Sequence, residues 1–166
     1  MRFHLLLLIL LYILNNHRIT GRPLRIPEYH ALLSIKTAIS DNPQASLLNL
    51  NLSTSHCTWT SVSCDSFNRV VSLDLSNMNL SSILSPDVGQ LRNLINLTTA
   101  AKFFSGPVPS EVSDISDLRL LNLSNNVFNG PFPSEFSRLK LLEVLNLYNN
   151  NMTGDLPIGV SEMPNL

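Results

Sequence analysis

Residues Leu118–Lys140 read LRLLNLSNNVFNGPFPSEFSRLK, and this stretch decides the fold. Leu121 and Leu123 alternate with Asn122 and Ser124, the period-two pattern of a short strand that turns one face inward. Phe128 returns the chain to an apolar interior. Gly130 supplies the backbone freedom of a sharp turn, and Pro133 fixes φ on the return side. Shifted by 24 residues, the scheme recurs as Leu145, Leu147, Met152, Gly154 and Pro157. It also runs backwards. Val70, Leu94, Leu118 and Leu142 hold one phase, and Leu73, Leu97, Leu121 and Leu145 another. Val88, Val112, Phe136 and Val160 hold a third. A fixed period of this length marks a solenoid, in which each coil packs on its neighbours and the whole presents extended surface.

Stacked coils of this kind place their strands side by side in a parallel sheet. The polar residues between the leucines then line the concave face. Asp74, Arg119, Glu143 and Tyr148 are the residues there best suited to grip a partner, since Arg and aromatic side chains carry much of the energy of interfaces. Asn126 and Asn150, three residues beyond the second inward leucine, form an expected asparagine ladder. Their amides would bond backbone groups of the next coil that a tight bend leaves unpaired.

The rest of the chain frames these coils. It has 166 residues, with 11 Lys+Arg against 12 Asp+Glu and no basic stripe of the kind nucleic acid requires. Charged residues make up 14%, well under the usual quarter, so Asn and Ser supply the polar surface. Met1–His4 is followed by an apolar run from Leu5 to Leu14 and a polar exit, the pattern of a secretory signal peptide over residues 1–21. The run is too short for hydrocarbon that takes about 20 residues to cross, and no later stretch is a transmembrane span. A helix is expected from Glu28 to Ser40, with Leu32, Ile35 and Ile39 on one face. A second, shorter helix is expected around Ala45–Leu50.

Cys57 and Cys64 flank Trp59. In a secreted chain two close cysteines pair. Two thiols without nearby histidine ligands make a poor metal site, and the spacing does not fit a CxxC redox motif. No catalytic, metal or cofactor site is expected, because no nucleophile, phosphate-binding or kinase motif accompanies the Ser and Asp residues. Five Asn-x-Ser/Thr sequons at Asn51, Asn79, Asn96, Asn122 and Asn151 are candidate N-glycosylation sites.

The pattern LxxLxLxxNxFxGxxPxxxxxLxx resembles plant-type extracellular leucine-rich repeats. EYHALLSIKTAI followed by CTWTSVSC is similar to the N-terminal cap that precedes such repeats in plant receptor kinases. NLSTSHCTWTSVSC, LNLSNNVFNGPFPSEFSRL and VLNLYNNNMTGDLP resemble the CLAVATA-type receptor kinases, the BARELY ANY MERISTEM group in particular. The resemblance implies an α/β repeat solenoid: a helical cap with a disulfide over residues 22–69, then four 24-residue repeats over 70–166 with a short parallel sheet on the concave face. Leu166 has the phase of the first leucine of a fifth coil, so the chain reads as the N-terminal fragment of a receptor ectodomain. The resemblance also implies secreted peptide ligands of the CLE class and co-receptor ectodomains as partners of a full-length member, which passes its signal through a membrane span to a Ser/Thr kinase. It implies the secretory pathway and the apoplast for this chain, and the plasma membrane for a full-length member. Two other readings stand beside it: a small secreted leucine-rich-repeat inhibitor or defence protein, and a non-functional gene remnant. The sequence departs from the pattern at Leu50, Ser61, Met78, Ser82, Thr99 and Lys102. Lysine at a buried ladder position costs several kcal/mol unless it finds a partner or swings out.

Overall fold

The computed structural model describes residues 26–39, 55–76, 82–100 and 104–166. The signal segment, the second cap helix, Asn51, Met78, Asn79 and Lys102 lie outside the described residues.

Helix α1 spans Ile26–Ile39. It begins two residues before the expected Glu28, because Pro27 falls in the first turn, where its missing N–H is no loss and its fixed φ suits a helix. Glu28 sits in that turn and Lys36 in the last, both on the side the helix dipole favours. Ala31, Leu32 and Ile35 are buried, and the helix packs on the short strand Ser82–Ile83 and the 3-10 turn Pro86–Gln90 of the first coil. Ser82 stands where later coils have their turn glycine. Its hydroxyl donates to the carbonyl of Ala38, one of the carbonyls that a helix end leaves unpaired. The serine is therefore a bolt between cap and coil, not a defect of the repeat.

After the 3-10 turn His56–Thr58, β1 (Val62–Cys64) and β2 (Val70–Asp74) form an antiparallel hairpin, and Cys57 and Cys64 are joined by a disulfide. Asp65 braces the hairpin turn. Its Oδ1 accepts from the backbone N–H groups of Phe67 and Arg69, each at 2.9 Å. Asn68 takes a left-handed φ of 57°.

From β2 onward the coils build two parallel sheets. The concave sheet runs β1-β2-β4-β6-β8, where β4 is Asn96–Thr98, β6 is Leu120–Asn122 and β8 is Val144–Asn146. Its partners are 24 residues apart throughout: Leu73↔Leu97, Leu97↔Leu121, Leu121↔Leu145. The second sheet runs β3-β5-β7-β9, comprising Ser82–Ile83, Phe104–Gly106, Val127–Pro131 and Asn151–Thr153. Here the partners are 22 apart: Ser82↔Phe104, Gly106↔Phe128, Gly130↔Met152. A shift of two residues per coil displaces the second sheet by about 6–7 Å at each step. One side of each coil thus stacks squarely while the other slides, which makes the solenoid twist.

The core fills the space between the sheets and the 3-10 turns Pro86–Gln90, Ser110–Asp114 and Ser134–Arg138. Leu97, Leu121, Val88, Val112 and Phe136 are sealed from solvent. Phe104 and Phe128 stack with ring centroids 6.0 Å apart. Thr99, in an inward leucine position, is fully buried. In the last coil Leu145, Leu147, Met152 and Val160 are half-buried against this core, and the short helix α2 (Ile158–Ser161) follows. Among the described residues no helix is long and apolar enough to cross a membrane.

Candidate functional site

The concave face is built by alternation. With the leucines inward, the residues between them point away from the core, and the 24-residue register sets equivalent positions side by side. Arg119 and Glu143 stand directly before β6 and β8 and form a half-exposed ion pair across adjacent coils. Tyr148 is 76% exposed. Asp74 is exposed at the end of β2.

Asp74 also has a local task. Its Oδ1 accepts from Ser76 N at 2.9 Å. Asn122 makes the same bond to Ser124 N and Asn146 to Tyr148 N, both at 3.1 Å. Asp74, Asn122 and Asn146 therefore close the bends that end β2, β6 and β8, a role that suits Asp and Asn because their side chains reach the N–H two residues on. Ser124, expected to point out between the leucines, is buried instead. The strand has ended at Asn122, and the chain is already bending toward Asn125, whose φ is 55°. Asn149 has a matching φ of 58°, and its amide donates to Asn125 Oδ1 at 3.1 Å.

Asn126 and Asn150 bond backward, to the preceding coil, contrary to the sequence expectation of the next one. Asn126 Oδ1 accepts from Phe104 N at 3.1 Å, and its Nδ2 donates to Thr99 O at 2.6 Å. Asn150 repeats this with Phe128 N at 3.1 Å and Leu123 O at 2.9 Å. The sense follows from the stagger, which lays the start of each second-sheet strand beneath the bend of the coil that follows it. Thr99 Oγ1 lies 3.5 Å from Asn126 Nδ2, so the substituted position is joined to the ladder.

Among the described sequons, Asn96 is exposed on β4 and Asn151 is exposed on β9. Asn151 thus lies in the second sheet. Asn122 is half-buried, with its Oδ1 already engaged.

The cap holds a second buried polar cluster among the described residues. Glu28 and His56 are each 3% exposed, and His56 Nε2 lies 4.0 Å from Glu28 Oε2. Glu28 Oε1 accepts from Asn93 Nδ2 at 3.2 Å, linking α1 to the loop between the first two coils. Trp59 packs edge-on against His56, with ring centroids 6.4 Å apart. The fold sets a ring nitrogen of His56 and the sulfurs of Cys57 and Cys64 within 4.8 Å of one another, so a histidine does stand beside the cysteines, contrary to the sequence argument, although both sulfurs are tied up in the disulfide. Nearby, burial beside Trp59 raises the pKa of Tyr29. Partial desolvation pushes the Asp65 carboxyl up, but bonds from Arg69 and Phe67 outweigh it and hold the group below the usual carboxylate range. A shallow groove of about 450 Å³ on the side away from the concave sheet is lined by Ile83, Pro107, Pro131 and Glu111 among others.

Fold and sequence together define a leucine-rich-repeat solenoid. Residues 26–65 match the leucine rich repeat N-terminal domain, and residues 117–139 and 141–163 match the leucine rich repeat. The chain is similar to a leucine-rich repeat receptor-like serine/threonine-protein kinase of Arabidopsis thaliana, 37% identical over 87 residues, which is 52% of this chain and 8% of that protein. Its fold is similar to that of a plant ice-binding protein (TM-score 0.78, 32% identity, 86% of this chain and 46% of that one). It is also similar to that of PEPR1 in the PEPR1–AtPEP1 structure (TM-score 0.77, 35% identity, 83% of this chain and 20% of that one). The chain spans roughly a tenth of the length of curated plant relatives that it matches, 8% of one and 12% of another.

Proposed function

We propose that these residues form the membrane-distal cap and first coils of a peptide-sensing receptor-like kinase of the CLAVATA type, in the BARELY ANY MERISTEM group, acting in CLE-peptide signalling. The observation that supports it most is the regular concave sheet. Its unbroken 24-residue register is a scaffold on which further coils stack in line, and the likeness to the PEPR1–AtPEP1 structure points the same way. In this reading the chain offers surface and performs no chemistry. The cap closes the apolar end of the first coil, glycans on Asn96 and Asn151 keep the flanks soluble, and the coils align those that follow. The site is apoplastic, and the partners of the whole receptor are a secreted peptide and a co-receptor ectodomain.

A second reading, a self-standing secreted leucine-rich-repeat protein, draws on the likeness to the plant ice-binding protein, of which the chain covers 46%. Sequencing the transcript past codon 166 separates the two. Continued 24-residue units, a membrane span and a Ser/Thr kinase in the same frame support the receptor. A reading frame that closes with no further units contradicts it.

A further inference from the structure

The 24-residue period builds a second repeated surface, apart from the concave face. The groove of about 450 Å³ crosses the first three coils. Leu84 and Val108, both buried, form its floor. Ile83, Pro107 and Pro131 share one phase of the repeat and stand exposed along it, Ile83 at 55%. Glu111 and Glu135 share another phase and line it with carboxylates. Each glutamate sits in the first turn of a 3-10 segment that packs on the next, so both have fixed places on the solenoid.

The chemistry of this lining is one-sided. Its prolines have no N–H to donate, and ionised carboxylates only accept. Ser110 Oγ and Ser134 Oγ each lie 3.4 Å from Oε2 of the glutamate that follows. Neither glutamate pairs with a cationic side chain among the described residues. Such a trough complements a ligand that brings apolar side chains together with positive charge. The backbone narrows the choice further. Strands β5 and β7 are already paired on both sides, so a bound peptide finds no strand edge to join. A polyproline II chain needs none, because its backbone stays bonded to water. It has three residues per turn, so one edge can lay apolar side chains in the trough while the next carries cations to the carboxylates.

We propose that this groove docks a basic polyproline II segment of a partner protein, with apolar side chains seated against Ile83, Pro107 and Pro131 and lysine or arginine reaching Glu111 and Glu135. The groove is separate from the concave row, so the docking does not depend on what that row binds.

The test titrates residues 22–166 into a dye-labelled peptide of Pro-Leu-Lys repeats, read by fluorescence anisotropy, and maps the contact by NMR of the ¹⁵N-labelled chain. The expected result is saturable one-to-one binding that weakens as salt rises, with shifted amide resonances at Ile83, Val108 and Glu111. Glu111→Gln combined with Glu135→Gln should weaken binding about 3–10-fold. Ile83→Ser should do so by a similar factor, about 3–10-fold, through lost apolar burial. Asp117→Asn, which removes an exposed carboxylate outside the groove, should stay within about twofold of wild type. Circular dichroism melts report that each variant is folded. An absence of saturable binding overturns the proposal, as do shifts confined to the concave row. So does equal binding of a Pro-Leu-Glu peptide or of anionic oligogalacturonate, or a folded double glutamine variant that binds as tightly as wild type.

Discussion

At the scale of single residues, the molecule rests on side chains that satisfy backbone groups. Asn126 is the chief of these, being buried and bonded to Phe104 N, Thr99 O, Leu123 O and Ser124 O. Replacing it with alanine leaves several buried groups unpaired, so Asn126→Ala should lower stability by about 2–4 kcal/mol in urea denaturation. Asn122→Ala removes one half-exposed bend bond and should cost about 1 kcal/mol or less. The sequence made the positions of both asparagines legible, because the repeat fixes their phase. The direction of the ladder was not legible, since a period says which residues stack and not which neighbour a side chain reaches. The use of Asp74 in the bend was hidden for a related reason. An acidic residue between inward leucines looks the same whether it faces a ligand or an N–H two residues on.

Asp65 gives a pH signature at the same scale. Its pKa is lowered in the folded chain by the bonds from Arg69 and Phe67, against the opposing effect of desolvation. A lowered folded pKa means that the contribution is present above the unfolded value, about 3.9, and is lost as pH falls through the folded one. Stability measured by denaturation from pH 5 to pH 2 should therefore fall less steeply in Asp65→Asn than in wild type. Equal slopes would remove Asp65 from the account of the hairpin.

At the scale of elements, the close fit between successive 3-10 turns sets the coil spacing. A Cβ at Gly89 would lie 2.4 Å from the backbone oxygen of Glu111, and backbone cannot give way as a flexible side chain can. Gly89→Ala should cost about 1–3 kcal/mol by forcing the first two coils apart. Gly154→Ala meets no atom within 4 Å and bears only the strain of φ +78°, about 1–2 kcal/mol. Matched urea melts of the two variants check the difference in cause when each is combined with Glu111→Gly: removing that side chain should leave the cost of Gly89→Ala unchanged, because the clash is with backbone. Ser82 teaches a similar lesson. Its place in the repeat suggested a lost turn glycine, yet its hydroxyl meets the end of α1, a contact across 44 residues that no local pattern encodes.

At the scale of the molecule, the sequence specified the solenoid, the cap and the concave row, because each depends on period and burial. The two-residue slip of the second sheet was invisible. Every position repeats at 24 in sequence, so a 22-residue pairing on one side of the coil leaves no trace in the side-chain pattern. The cap cluster was equally hidden, because Glu28, His56 and Asn93 are far apart in the chain and meet only once α1 has docked. The last described coil has Leu145, Leu147 and Met152 only half-buried. Joining a polar capping repeat after residue 166 should raise the melting midpoint by several degrees and reduce aggregation in light scattering, as terminal repeats with a polar outer face do in other solenoids.

The central claim is that these coils belong to a peptide-sensing ectodomain and present surface to it without forming the binding groove themselves. Calorimetry with CLE-type peptides tests this most directly, using residues 22–166 beside the ectodomain encoded by the whole reading frame that contains them. The account predicts saturable binding by the whole ectodomain, no measurable heat from residues 22–166, and affinity within about twofold of wild type when Arg119 and Tyr148 are both changed to alanine in the whole ectodomain. Micromolar or tighter binding by residues 22–166 alone, or no binding of any such peptide to the whole ectodomain, would contradict it.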